Sequence, residues 1–202
     1  MPMRNIVLLS GVALLAVAFS GGVAQADIIL QGDPAAMTSG SLTYSTAEWT
    51  AQVQYAVYAP GQYGGTDPDK LTNYVYAYQV FDDAASQVTL SSFNVGLITG
   101  AGAVHATSDG GYGTLGGQAP LLSRLVGSPA GSVQWSIDVA PGQYTTVLLF
   151  SSPNSWTLQP ASLVDHGTTD THSLPSPVPE PASMGLLLLG GLGCLLRRRR
   201  KL

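Results

Sequence analysis

The segment Val133-Gln-Trp-Ser-Ile-Asp-Val139 alternates apolar and polar side chains without a break and runs straight into Ala140-Pro-Gly-Gln143. On a strand this period of two sends Val133, Trp135, Ile137 and Val139 to one face and Gln134, Ser136 and Asp138 to the other. Pro141 presets φ and Gly142 accepts φ > 0, which together predict a type II turn leading into a second strand over 144–151. The same reading gives strands at 52–58, 73–81 and 88–97, a shorter one around 42–49, a late one around 156–163 and a short element at 121–126. Helical periodicity is weak between these segments. About seven short strands, frequent Gly and Pro breaks and no long amphipathic helix predict an all-β body, a β-sandwich of immunoglobulin-like or jelly-roll type. Thr99 to Ser132 stands apart, with nine glycines in 34 residues, and is expected to be a surface excursion.

Two apolar segments flank this body. Arg4 precedes an apolar run from Ile6 to Phe19, and small residues lead on to Ala24-Gln25-Ala26. A basic start, a short apolar stretch and Ala at both small-residue positions predict a signal peptide over 1–26, cut by signal peptidase so that the mature chain begins at Asp27. At the other end a Pro-rich linker over 174–181 precedes 15 uncharged residues, Ala182 to Leu196, and then Arg197, Arg198, Arg199, Arg200 and Lys201. A helix of that length reaches about 22 Å, short of the roughly 30 Å hydrocarbon core, so a transmembrane helix over 182–202 needs its long basic side chains to snorkel. The same cations belong on the cytoplasmic side and put the body, 27–173, outside.

The ordered combination of Pro179-Glu180-Pro181, an immediate short apolar helix containing Gly190-Gly191, and a basic terminus closely resembles the PEP-CTERM sorting signal of Gram-negative bacteria, here over 178–202. The resemblance implies that Pro179, Glu180 and Pro181 are recognised by an exosortase, a membrane-embedded cysteine transpeptidase. It implies an inner-membrane intermediate, then delivery to the cell surface or extracellular matrix, and a link to exopolysaccharide and biofilm. A permanent tail anchor is the competing reading of the same residues.

Charge and cysteine usage narrow the function further. Between Asp27 and Val178 eleven acidic residues face only Lys70 and Arg124, a net of −9. Such a surface repels nucleic acid, whose phosphates need clustered Lys and Arg, so no nucleic-acid partner is expected. Cys194 is the one cysteine, which rules out an intrachain disulfide and leaves the body to its core.

The remaining constellations are ordinary. Gly111-Tyr-Gly-Thr-Leu-Gly116 matches G-x-G-x-x-G, but that fingerprint works only between a strand and a helix whose N-terminus holds the pyrophosphate, and here it reads as part of a Gly-rich loop of an exported protein. Asp67, Asp69 and Asn73 offer oxygen ligands, too few and wrongly spaced for an EF-hand loop, and read as a turn; Asp82-Asp83 reads as the close of a hairpin. His105, Ser108, Asp109 and the pair Asp165-His166 form no recognisable nucleophile, base and orienting set. Tyr74, Tyr76 and Tyr78 share one strand face; packing is the commoner fate of such a stripe, and stacking on sugar rings is the alternative if it is exposed. The expectation is a non-enzymatic surface protein with no metal and no cofactor. A carbohydrate-binding module is the first alternative, a carboxylate-dependent hydrolase the second.

Overall fold

The computed structural model describes residues 30–69, 72–127 and 131–179. These fold into ten strands: β1 Thr38–Ser45, β2 Thr50–Tyr58, β3 Tyr74–Asp82, β4 Leu90–Gly96, β5 Val104–Asp109, β6 Leu122–Val126, β7 Ser132–Val139, β8 Val147–Ser152, β9 Trp156–Val164 and β10 Thr169–Pro177. They form two five-stranded antiparallel sheets, ordered β1-β2-β3-β8-β5 and β10-β9-β4-β7-β6. No helix occurs among the described residues. The chain crosses from one sheet to the other after β3, β4, β5, β7 and β8, so neither sheet is a local meander.

The alternating segments pack as their period requires. Val133, Trp135, Ile137 and Val139 are all buried, and the turn after them closes with the Gln143 amide on the Ala140 carbonyl at 2.9 Å and Gly142 at φ 77°. Facing them across the core are Tyr76, Tyr78 and Val80 of β3 and Leu148 and Phe150 of β8. Tyr78 meets Phe93 at 5.6 Å and Trp135 at 6.1 Å, and Tyr76 stacks on Phe150 at 4.8 Å. Each such buried side chain contributes about 1.5–3 kcal/mol by leaving water. This two-layer packing fits a β-sandwich.

The first sheet is also covered on its outer face, which explains the unbroken apolar run Val147-Leu-Leu-Phe150 at its centre. Ala56, Tyr58, Val75, Ala77, Val147 and Leu149 pack there against Leu30, Tyr63 and Tyr112 from loops that fold back over the sheet. Among the described residues the second sheet has no such cover, and Ser92, Asn94, Gln134, Ser136 and Ser162 lie half-exposed on its outer side.

Four expectations change. The Gly-rich 99–132 stretch holds a whole strand, β5, besides β6. Asp82-Asp83 ends β3 at a crossing between sheets rather than a hairpin, since β3 and β4 lie in different sheets. Residues 174–177 are not linker: they complete β10, pair with β9 and are buried. Proline is tolerated there because β10 is an edge strand and needs donors on one side only. Finally, the strand expected from residue 144 begins at Val147.

Candidate functional site

β10 delivers the chain to its tail. Its last residues are held from three sides: the Ser176 hydroxyl donates to the Gly96 carbonyl at 2.7 Å, the Tyr78 hydroxyl donates to the Pro175 carbonyl, and the Val178 amide donates to the Ser155 carbonyl at 2.9 Å. Pro179 follows against Gly100, whose Cβ, were there one, would stand 3.2 Å from the Pro179 ring. Val178 and Pro179 are half-buried. The folded body therefore extends to the first proline of the motif with no slack spacer. Glu180, Pro181, Ala182 to Leu196 and the basic cluster Arg197 to Lys201 lie outside the described residues, as do Ala24, Ala26 and Asp27 of the leader. No helix among the described residues is long and apolar enough to cross a membrane.

The tyrosine stripe is core. Tyr76 and Tyr78 are at most 1% exposed and Tyr74 is half-buried against the same cluster. The hydroxyls of Tyr76 and Tyr78 reach backbone acceptors, Tyr76 the Asn154 carbonyl at 2.8 Å and Tyr78 the Pro175 carbonyl. The sugar-stacking alternative is thereby corrected for Tyr76 and Tyr78: a central strand lying under a second sheet turns that face inward.

A second group of tyrosines sits on the outer face of the first sheet, and spacing alone did not reveal it. Asp33 Oδ2 accepts from the hydroxyls of Tyr58 at 2.7 Å and Tyr112 at 2.6 Å, while its Oδ1 accepts from the Ala35 amide at 2.9 Å. Burial alone would raise the Asp33 carboxyl, but these three donors bring it below its ordinary value. Tyr112, desolvated and hydrogen-bonded to that carboxylate, is pushed up to about 12. Asp109 repeats the arrangement, accepting from Tyr63 at 3.0 Å and from the Thr66 and Gly111 amides at 2.6 and 2.8 Å. The Gly111–Gly116 run lies in this cap. Next to it, Gly117 passes so close to the segment leading into β8 that a Cβ would stand 2.1 Å from the Thr145 carbonyl oxygen, so backbone approach explains a glycine there.

The other candidates are separate. Asp69 Oδ2 accepts from the Asn73 side-chain amide, its own backbone amide donates to Asp67 Oδ1, and its Oδ1 meets His105 Nε2 at 3.0 Å. His105 holds φ 54° at the register slip of β5. His172 Nε2 meets Asp170 at 3.1 Å and its ring sits edge-on to Tyr44. Asp165 caps its own turn through the Gly167 and Thr168 amides, and these bonds hold it below the usual carboxylate value despite desolvation. Among the described residues no three His, Cys, Asp or Glu side chains gather as a metal site.

An all-β body whose last strand feeds directly into a separate C-terminal signal defines a passenger domain with a sorting tail. A family model described as the PEP-CTERM protein-sorting motif matches residues 177–201. The motif implies exosortase-dependent sorting of an exported protein, with export to the cell surface by way of the membrane. No curated protein and no solved structure matches the chain.

Proposed function

We propose that this chain is a non-enzymatic surface or matrix protein. Its signal peptide is removed before Asp27, and its tail, Ala182 to Lys201, holds it transiently in the inner membrane until an exosortase acts at Pro179-Glu180-Pro181. The observation that carries this reading is the junction itself: the sorting motif starts where β10 ends, so processing there releases an intact, fully packed acidic body. In that body Asp33, Asp109 and Asp165 serve as acceptors within the fold, an arrangement that favours a structural role over carboxylate catalysis. Delivery into an exopolysaccharide-rich matrix is the destination we infer.

Intact-mass measurement of cell-associated and released protein tests the route. The released form should lack Arg197 to Lys201; a chain that keeps those residues in every fraction overturns processing and leaves the permanent anchor. Matrix formation by cells lacking the chain tests the destination.

The carbohydrate-binding alternative retains one support after burial of the tyrosine stripe, namely the uncovered hydroxyl- and amide-rich face of the second sheet. Glycan binding that survives Asn94→Ala with Gln134→Ala would remove it.

A further inference from the structure

The two sheets are finished differently at their two sides. On one side β1 and β10 guard each other: the Ser45 amide donates to Asp170 Oδ2 at 2.8 Å, the Tyr44 ring meets His172 edge-on at 4.7 Å, and β10 carries Pro175 and Pro177. On the other side β5 is broken by its register slip and by His105 in the left-handed region. These are devices that keep an edge strand from pairing with another chain. β6 has none of them. It pairs with β7 through Leu122↔Ser136 to Val126↔Ser132, and although β5 of the other sheet lies beside it, no described strand hydrogen-bonds to its outer edge.

The side chains of β6 and its approach are as unguarded as its backbone. Leu121, Leu122, Leu125 and Val126 are 36–75% exposed, four of the six large apolar side chains left in water among the described residues. Arg124, the only Lys or Arg among those residues, does not project past the edge; its guanidinium folds back across β7 and donates to the Gln134 side-chain oxygen.

We propose that β6 is a self-association edge at which a second copy of this chain adds its own β6 antiparallel, joining two five-stranded sheets into one of ten. Charge selects the occupant. The body carries −9, so two copies repel over most approaches, yet from Gly110 to Ile137 there are 28 residues with one arginine and no carboxylate. This edge is where like-charged copies meet at least cost. Backbone chemistry selects the mode, because unpaired N–H and C=O groups beside exposed leucines are satisfied by an added strand and not by lipid. Antiparallel pairing of identical strands is isologous and closed, so it yields a dimer rather than a filament.

Single cysteines on β6 test this in the full-length exported chain with Cys194→Ser. Across a two-fold antiparallel pair, only residues at the axis face their own copies within disulfide range. Oxidative cross-linking of Leu122→Cys, Ser123→Cys, Arg124→Cys and Leu125→Cys should therefore give a dimer that peaks at one position, or at two adjacent ones. Ser41→Cys on β1 and Leu158→Cys on β9 should give none. Adding Leu125→Lys should reduce the peak at least tenfold, and Leu122→Lys, on a half-exposed side chain, should do the same should the first variant not fold. A flat yield across all positions, cross-links only to a different protein, or a dimer that persists with Leu122→Lys overturns the proposal.

Discussion

Two sets of three tyrosines divide the molecule. Tyr44, Tyr76 and Tyr78 lie between the sheets and donate to backbone carbonyls of Ala161, Asn154 and Pro175. Tyr58, Tyr63 and Tyr112 lie outside the first sheet and donate to the carboxylates of Asp33 and Asp109. The rings bury apolar surface in both places; only the acceptors differ. A carbonyl does not titrate, whereas the Asp33 carboxylate, held below its usual value by its donors, loses its role once acid protonates it. The difference teaches that the inter-sheet core and the outer cap respond to different variables, the first to packing alone and the second to packing and pH.

The largest test of that division is truncation in the core. Trp135→Ala empties a fully buried site that touches Phe93, Tyr78 and Phe150, and should cost about 3–5 kcal/mol in urea unfolding. The loss should be the same at pH 4 and pH 7. A strongly pH-dependent loss there would break the comparison.

Next in size is the cap. Asp33→Ala strands two tyrosine hydroxyls and the Ala35 amide, and should cost about 2–3 kcal/mol at neutral pH. The sign follows from the lowered carboxyl. The stabilisation is fully present above the unfolded value of about 3.9, and is lost as pH falls through the lower folded value. The gap between parent and variant should therefore close in strong acid. A gap that stays constant down to pH 2 would mean the tyrosines do not depend on the charge. Tyr78→Phe sharpens the contrast: it removes one hydroxyl from a neutral acceptor, should cost about 1 kcal/mol, and should show no trend over the acid range.

Sequence pattern revealed these two regions unequally. β7 and its turn were legible because alternation, Pro141 and Gly142 all point the same way. The spacing of Tyr74, Tyr76 and Tyr78 announced a strand but could not say which face was covered, since β3 is buried on both sides. The cap was invisible because it joins Asp33, Tyr58 and Tyr112 across 79 positions of chain, and no local period links them. β5 was hidden by a polar composition, Val104-His-Ala-Thr-Ser-Asp109, and by a bulge that breaks its register. β10 was misread at 174–177 because prolines suggest a linker unless the strand is known to lie at an edge. The sorting motif was legible for the opposite reason: it depends on the order of residue types at the terminus and not on tertiary contacts.

The smallest expected effect comes from a carboxylate that belongs to neither set. Asp82 is 5% exposed and neither of its oxygens has a hydrogen-bond donor in place. Desolvation raises its carboxyl above the ordinary value, outweighing the nearby Ser86 hydroxyl and Asp83 amide. The sign is the reverse of Asp33. Below the unfolded value of about 3.9 both states are protonated and no penalty exists; as pH rises toward the folded value the unfolded chain releases its proton more readily, and stability falls to a lower plateau. Asp82→Asn should thus gain about 1 kcal/mol at pH 7 and nothing at pH 3, measured by urea unfolding at both. An equal change at the two pH values would assign the effect to packing at the end of β3 instead of to an unpaired charge, and would leave a carboxylate's contribution here independent of whether it has donors.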